Sequence, residues 1–282
     1  MPRSRKPHPS RHASHSHGSG MLAIDRYAQR SHLRTVSPFV KTVFALCMLI
    51  LCIAADLTAT GLLIAALMLA ACIGPGGAPA RYVLSLMRVP VFFIVVSCLA
   101  VAFEIGRAPL GDWDFSLFGI WLSVTPAGLH QAILLFFKAY GAVTCLYFLS
   151  LTTPMQDILE VLRAARLPHL VIELMYLIYR YIFLLLDVQH RMTLAAQSRL
   201  GYASWRNAWY TFTHISGNLL AASFRRSSTC FDAMEARCYD GALRFLTHHA
   251  PVRLRHVLAC VGCFAAVAFL TALLKWKGVD LF

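Results

Sequence analysis

Residues 187–241 read DVQHRMTLAAQSRLGYASWRNAWYTFTHISGNLLAASFRRSSTCFDAMEARCYDG, and they lie between apolar segments of membrane-embedded character. Two pieces of this stretch echo each other: Ala195-Ala196-Gln197-Ser198-Arg199-Leu200 and Ala233-Met234-Glu235-Ala236-Arg237-Cys238. In each, an Ala, two variable residues and a small residue precede a single Arg. A helix places Ala195 and Arg199, or Ala233 and Arg237, four apart on one face. Small residues beneath a long Arg let a helix approach a partner closely while the guanidinium reaches further. That shape suits a helix docking into a groove on another protein; two cytoplasmic helices of ordinary composition are the plainer reading. Gly201 or Gly217 is expected to break the helices, with Ser216-Gly217-Asn218 the stronger hinge signal. Two helices joined there would cross or fork, with one marked Arg on either side. From Arg191 to Phe231 there are five Arg and no acid.

Outward from this stretch, the composition excludes an ordinary soluble domain. The chain has 282 residues, 58% of them hydrophobic and only 14% charged, against about 25% charged in soluble proteins. The mean hydropathy is +0.61, and the charges cluster, leaving long stretches nearly free of them. The class expected is an all-α polytopic membrane protein of about five transmembrane helices with a helical cytoplasmic region. The net charge of +13 sits mostly beside apolar segments. Anionic membrane lipids and the positive-inside rule account for it, and nucleic acid is not an expected partner. Nine Cys are scattered, mostly within apolar runs, where they act as small apolar residues without a disulfide framework. Cys260 and Cys263 form a C-x-x-C inside such a run and are expected to pack there, metal ligation being the alternative.

Four organisational units follow. Residues 1–20 form a basic, His-rich tail with no apolar signal-peptide core, and are expected to be disordered. In it His8, His12, His15 and His17 are candidate ligands for a loosely held transition metal, against the plainer reading of a solvated tail. Residues 21–152 form an N-terminal membrane unit of about four apolar runs: Phe39 to Ala55, Leu57 to Ile73, about Val89 to Phe103, and Ala127 to Leu151. Ser37-Pro38 reads as a helix start. Asp56 marks a tight turn between the first two runs. The third run is short unless Tyr82–Met87 also enters the membrane. Basic residues precede the first run and lie between the second and third, while Glu104, Asp112 and Asp114 lie between the third and fourth. The N-terminus is therefore expected in the cytoplasm and residues 104–125 outside, in a protein of inner-membrane type. Lys138, deep in the fourth run, is expected to make an interhelical polar contact rather than to serve a functional site.

Residues 153–255 form the cytoplasmic unit, and residues 256–282 the last transmembrane helix and C-terminus. Pro154–Arg163 is amphipathic, with Ile158, Leu159 and Leu162 on one face; Thr153 is expected to cap it, with Pro154 at the first helical position. Residues 170–190 carry Glu173, Arg180 and Asp187 every seven residues on one stripe. A mid-bilayer Arg180 would cost about 2.5–3.5 kcal/mol unless paired, so this helix is read as lying along or beneath the membrane bundle, a fifth span being the runner-up.

At this point the sequence resembles a known family: the transmembrane (T) component of energy-coupling-factor transporters, of the CbiQ type that serves cobalt uptake. The resemblance rests on Ile24-Asp25-Arg26-Tyr27-Ala28, Leu151-Thr152-Thr153-Pro154, Gln197-Ser198-Arg199-Leu200-Gly201-Tyr202, and Ala233-Met234-Glu235-Ala236-Arg237-Cys238-Tyr239-Asp240-Gly241. It implies two coupling helices, each with an Ala-Arg-Gly-like motif, docking into a pair of ABC-type ATPase subunits. By residue match these motifs are Ser198-Arg199-Leu200 and Ala236-Arg237-Cys238. The family's third-position Gly is replaced by Leu200 and Cys238, which leaves the helix-end geometry to be established. The resemblance also implies a separate substrate-binding membrane (S) subunit that captures the metal. No cofactor is expected.

The chain has no G-x-x-x-x-G-K-[ST] phosphate loop, so it is not itself the motor, and no enzyme activity is expected. The same role in nickel uptake is the nearest alternative. A self-contained carrier would need polar residues converging in the spans, and a membrane-embedded enzyme would have to use His130, Lys138, His169 or His190, which lack the spacing of a known metal or carboxylate site.

Overall fold

The computed structural model describes residues 25, 27–29, 31, 33, 36–106, 113–117, 120–241 and 253–276. The His-rich tail, with His8, His12, His15 and His17, lies outside them. The described chain runs α1 (Pro38–Ala54), α2 (Thr58–Ile73), α3 (Ala80–Ala102), β1 (Phe103–Gly106), β2 (Trp113–Leu117), β3 (Ile120–Val124), α4 (Pro126–Thr152), α5 (Met155–Ala164), α6 (His169–Ser198), α7 (Trp205–Glu235) and α8 (Leu254–Trp276). Five of these helices take up the five apolar runs. By length and composition α3, α8 and the Gly128–Thr152 part of α4 suffice to cross a bilayer, and α1 and α2 are shorter apolar helices. The protein is an all-α polytopic membrane protein, with one small antiparallel sheet in the connection between α3 and α4. Its strand order is β1-β3-β2, with Phe103 and Trp113 both opposite Val124. The aromatic and β-branched content of 113–124 favours that choice.

The local signals act where the residues place them. Pro38 opens α1 at its first position. Asp56 makes the tight turn to α2 with φ +45°, a left-handed conformation that Asp tolerates better than most residues. Helix α3 starts well before the apolar run from Val89, so Tyr82–Met87 belongs to it, and it carries Pro90 within. The Oγ1 of Thr125 caps α4, accepting from the Gly128 N–H at 3.1 Å. Thr153, in contrast, does not cap α5. Its N–H is committed to closing α4 on the Leu149 carbonyl at 3.0 Å, its Oγ1 has no partner, and α5 begins one residue later, at Met155.

Methionine and cysteine fill much of the membrane core: Met48 and Cys52 of α1, Met68 and Cys72 of α2, Met87 of α3 and Cys145 of α4 are all buried. All nine cysteines are free thiols. Helices α2 and α4 meet backbone to backbone. A Cβ on Gly61 would lie 2.5 Å from the Phe137 carbonyl oxygen, and one on Gly141 would lie 2.7 Å from the Cys52 Sγ and 2.9 Å from the Gly61 oxygen. Such small-residue contacts are how helices associate where lipid removes the hydrophobic drive. The outer face is apolar: Ile50, Phe92 and Phe93 are each more than 60% exposed, a belt suited to acyl chains rather than water.

Two lysines tie the bundle together. The buried Lys41 of α1 donates to the Thr152 carbonyl at 3.0 Å, placing a cation on the C-terminal end of α4, where the helix dipole favours it. It thereby sets the start of α1 level with the end of α4. Lys138 pairs with Asp56 at the α1–α2 turn, the interhelical contact expected of it; that bond draws the Asp56 carboxyl below its usual range.

Candidate functional site

The hinge expected at Ser216–Asn218 is not there. Helix α7 runs unbroken through it, and a Cβ on Gly217 would meet nothing within 4 Å. A glycine in mid-helix costs about 1 kcal/mol relative to Ala, too little to stop a helix of 31 residues. The break falls instead at the other glycine considered, between Ser198 and Trp205. Leu200 turns left-handed with φ +56°. A Cβ on Gly201 would lie 2.8 Å from the Thr211 Oγ1 and 2.9 Å from the Ala196 oxygen. Thr211 donates its hydroxyl to the Gly201 carbonyl at 2.9 Å, fastening the start of α7 onto the elbow.

The two arginine motifs occupy matching positions. At the end of α6, the Gly201 N–H bonds the Ala196 carbonyl at 2.9 Å and the Leu200 N–H bonds that of Gln197 at 3.1 Å. At the end of α7, the Tyr239 N–H bonds the Met234 carbonyl at 3.1 Å and the Cys238 N–H bonds that of Glu235 at 2.9 Å. Both are Schellman ends, with the left-handed residue directly after the Arg; Cys238 has φ +57°. Positions 200 and 238, which the resemblance matches to Gly, take the left-handed conformation without one. A left-handed L-residue costs roughly 1–2 kcal/mol. Ser198, Arg199, Leu200, Ala236, Arg237 and Cys238 are all exposed. The 31 residues of α7, at about 1.5 Å each, hold the two arginines roughly 45 Å apart.

The echo in the sequence has a spatial counterpart. Ala195, Ala196 and Arg199 line one concavity of about 410 Å³ at the elbow, with Tyr210 and His214 opposite. Ala233 and Arg237 line a second, of about 1090 Å³, between α6 and α7. In both, small residues sit beside the Arg four positions on, as a helical face requires.

The seven-residue stripe of charges on α6 divides by environment. Glu173 is buried, accepting from the Tyr239 hydroxyl at 3.2 Å and lying 2.9 Å from the His169 Nδ1. Asp187 pairs with Arg191 at 2.6 Å, and Arg180 faces the larger groove. Desolvation, then the adjacent Glu173 carboxylate, pushes the Tyr239 phenol up, so it stays a protonated donor. This latch ties the second motif to the start of α6. The sequence reading missed it, because Glu173 and Tyr239 are far apart in the chain; the only local signal was an acid in an apolar run. The residues weighed for an enzyme are dispersed: Lys138 pairs with Asp56, His169 with Glu173, and His190 lies roughly 30 Å along α6 from His169. Among the described residues no group of three His, Cys, Asp or Glu is placed to hold a metal.

A family profile described as CbiQ, cobalt transport protein, matches residues 29–248, taking in both arginine motifs. The chain belongs to the CbiQ cobalt transport family. Similar proteins include the cobalt transport protein CbiQ of Rhodobacter capsulatus, 27% identical over 80% of this chain and 88% of that protein. The energy-coupling factor transporter transmembrane protein EcfT of Ruminiclostridium cellulolyticum is 25% identical over 78% of this chain and 85% of its own length. A putative fused cobalt transport protein CbiMQ of Methanocorpusculum labreanum is 28% identical over 89% of this chain, which spans only 41% of that protein. Membership of CbiQ makes this chain a multi-pass membrane component of a cobalt transporter of the energy-coupling-factor type.

Proposed function

We propose that this CbiQ-family chain is the coupling subunit of an ATP-driven cobalt(II) importer, converting closure of a pair of ABC-type ATPase subunits into movement of a metal-binding membrane subunit. The observation that carries the reading is the pair of Schellman ends, which present Arg199 and Arg237 to solvent at the two ends of α7. Two like anchors at fixed separation suit two like grooves on a dimer. A guanidinium fork binds a groove carboxylate in a bidentate, oriented pair that Lys cannot reproduce. When the grooves move, α6 and α7 follow as one body through the Thr211–Gly201 and Tyr239–Glu173 bonds. The motion enters the membrane at α5, which packs on α1 beside Lys41 and Thr152. Such a drive requires the two ATPase states to differ in their contacts with the arginines.

The Lys41–Thr152 contact sets the end of α4 beside the start of α1, on the side that also carries Arg81 and the coupling helices. The positive-inside rule supports a cytoplasmic location for that side and for the N-terminus, in an inner membrane. A relative carries the name putative fused cobalt transport protein CbiMQ, which supports a CbiM-type partner, and the metal-binding role is proposed for that partner. The test is reconstitution of the chain with a CbiM-type subunit and its ATPase in vesicles. Uptake of radiolabelled cobalt(II) requires all three proteins and ATP, and excess nickel(II) leaves it nearly unchanged. Uptake by the chain alone would make it a carrier, and preferential uptake of nickel would transfer the role to that metal.

A further inference from the structure

The groove of about 1090 Å³ between α6 and α7 is lined by Arg180, Arg225, Arg226 and Arg237, with Asp240 the only acid on its wall. All four arginines are exposed. The ion pairs Lys138–Asp56, His169–Glu173 and Arg191–Asp187 involve none of the four. Four guanidinium groups facing one groove repel each other, and an anion between them relieves that repulsion while using their forked donors. The α6 wall continues past Arg180 and Tyr181 into aliphatic surface, with Leu184, Leu185 and Val188. Tyr181 and Cys230 line the groove from α6 and α7, with Arg180 and Arg226 beside them.

The groove's place in the fold narrows the choice of anion. It occupies the half of the α6–α7 pair next to the membrane helices. The Tyr239–Glu173 bond closes that end, and the Tyr179 hydroxyl reaches Asp25, ahead of α1. On the adjoining face of α6, Leu170, Leu174 and Ile178 are 64%, 49% and 58% exposed, an apolar stripe continuing from the groove. Guanidinium groups beside tyrosine and aliphatic surface match a phosphate headgroup, its glycerol region and its acyl chains in turn. An acidic protein segment would match only the first of these, and a free phosphate would leave most of the groove empty.

We propose that the α6–α7 groove binds one anionic phospholipid, its phosphate held by Arg180, Arg225 and Arg226 and its chains laid along the apolar stripe of α6. This goes beyond the coupling reading and takes from it only the cytoplasmic placement of α6 and α7. The lipid clamps the membrane end of both coupling helices to the inner leaflet.

The full chain, purified in neutral detergent, is titrated with short-chain phosphatidylglycerol, short-chain phosphatidylcholine, inorganic phosphate and a glutamate-rich peptide. Bound mass is read by native mass spectrometry, and melting temperature alongside. Phosphatidylglycerol is expected to bind one to one and raise the melting temperature, the other three at the same concentrations doing neither. At roughly fivefold in binding per arginine near an anionic surface, Arg180→Gln with Arg225→Gln and Arg226→Gln weakens lipid binding about a hundredfold, and Arg225→Gln alone about fivefold. Both variants melt, without lipid, like the wild type. Equal lipid binding by wild type and both variants overturns the proposal, as does phosphatidylcholine binding as well as phosphatidylglycerol. Phosphate matching the lipid would make this a free-anion site, and a tighter peptide would assign it to a protein partner; either result overturns the lipid assignment.

Discussion

Arg199→Glu combined with Arg237→Glu abolishes ATPase-driven cobalt uptake and lowers affinity for the ATPase subunits by more than about a thousandfold. Removing one member of a close interfacial charge pair costs about 2–5 kcal/mol, and reversal adds repulsion from the groove carboxylate. Two such losses on one partner multiply, because each anchor holds the other near its groove. Each single variant retains part of the binding, and Arg→Lys retains more than Arg→Glu but less than wild type, since the ammonium cannot form the fork. The fold is spared. The Schellman bonds at both sites are backbone bonds, and both side chains are exposed. A glutamate at a helix C-terminus opposes the dipole by only about 0.3–1 kcal/mol. Isothermal titration or surface-bound kinetics of the purified chain against the ATPase reads the affinity, and detergent melting confirms the fold. Affinities within a factor of three of wild type would remove the arginines from the interface.

The second large effect lies in the membrane. Gly61→Val destabilises the chain by more than about 3 kcal/mol, beyond the usual cost of overpacking a core. The clash is with the Phe137 carbonyl and the backbone that follows it, and backbone on a packed helix cannot turn aside as a side-chain end does. In a domain of this size that amounts to roughly 10 °C in melting temperature. Gly61→Ala moves the same way by less. Gly217→Ala is the contrast: a Cβ there meets nothing within 4 Å, and the change stabilises α7 by up to about 1 kcal/mol. Wild-type melting of Gly61→Val in detergent would show that α2 and α4 do not meet as described.

The five apolar helices were legible because hydrophobic length is a strong and local signal. The role of Lys138 was legible for a related reason, since a charge at that depth needs a polar contact; that Asp56 supplies it depends on how α4 packs against the α1–α2 turn. The elbow was misplaced because Ser216-Gly217-Asn218 is the stronger local signal, while Gly201 is where tertiary contacts hold the chain. What separates them is Thr211, whose hydroxyl holds the Gly201 carbonyl only once α7 has folded back. The missing cap at Thr153 follows from where α5 begins: it starts one residue later, at Met155, which puts Pro154 at the cap position and Thr153 outside it. The strands between α3 and α4 were hidden by the acids used to orient the loop. At the candidate site the Ala-to-Arg spacing predicted a shared face, and Arg199 and Arg237 do share concavities with their alanines. The left-handed turn at Leu200 and Cys238 was not readable from those residue types, which disfavour it. The Glu173–Tyr239 latch and the arginine groove depend on how α6 and α7 pack, which no local pattern carries.

Cys238 is exposed directly beside Arg237, so the native chain holds a chemical probe within its second motif. The decisive measurement is the rate at which a membrane-impermeant maleimide labels Cys238, located by mass spectrometry, in the isolated chain and in its assembly with the ATPase subunits. Docking through the motif predicts at least about tenfold slower labelling in the assembly, with the rate restored when Arg237→Glu is introduced. Equal rates in the isolated and assembled protein would contradict the claim that these arginine-bearing helix ends are where the motor takes hold.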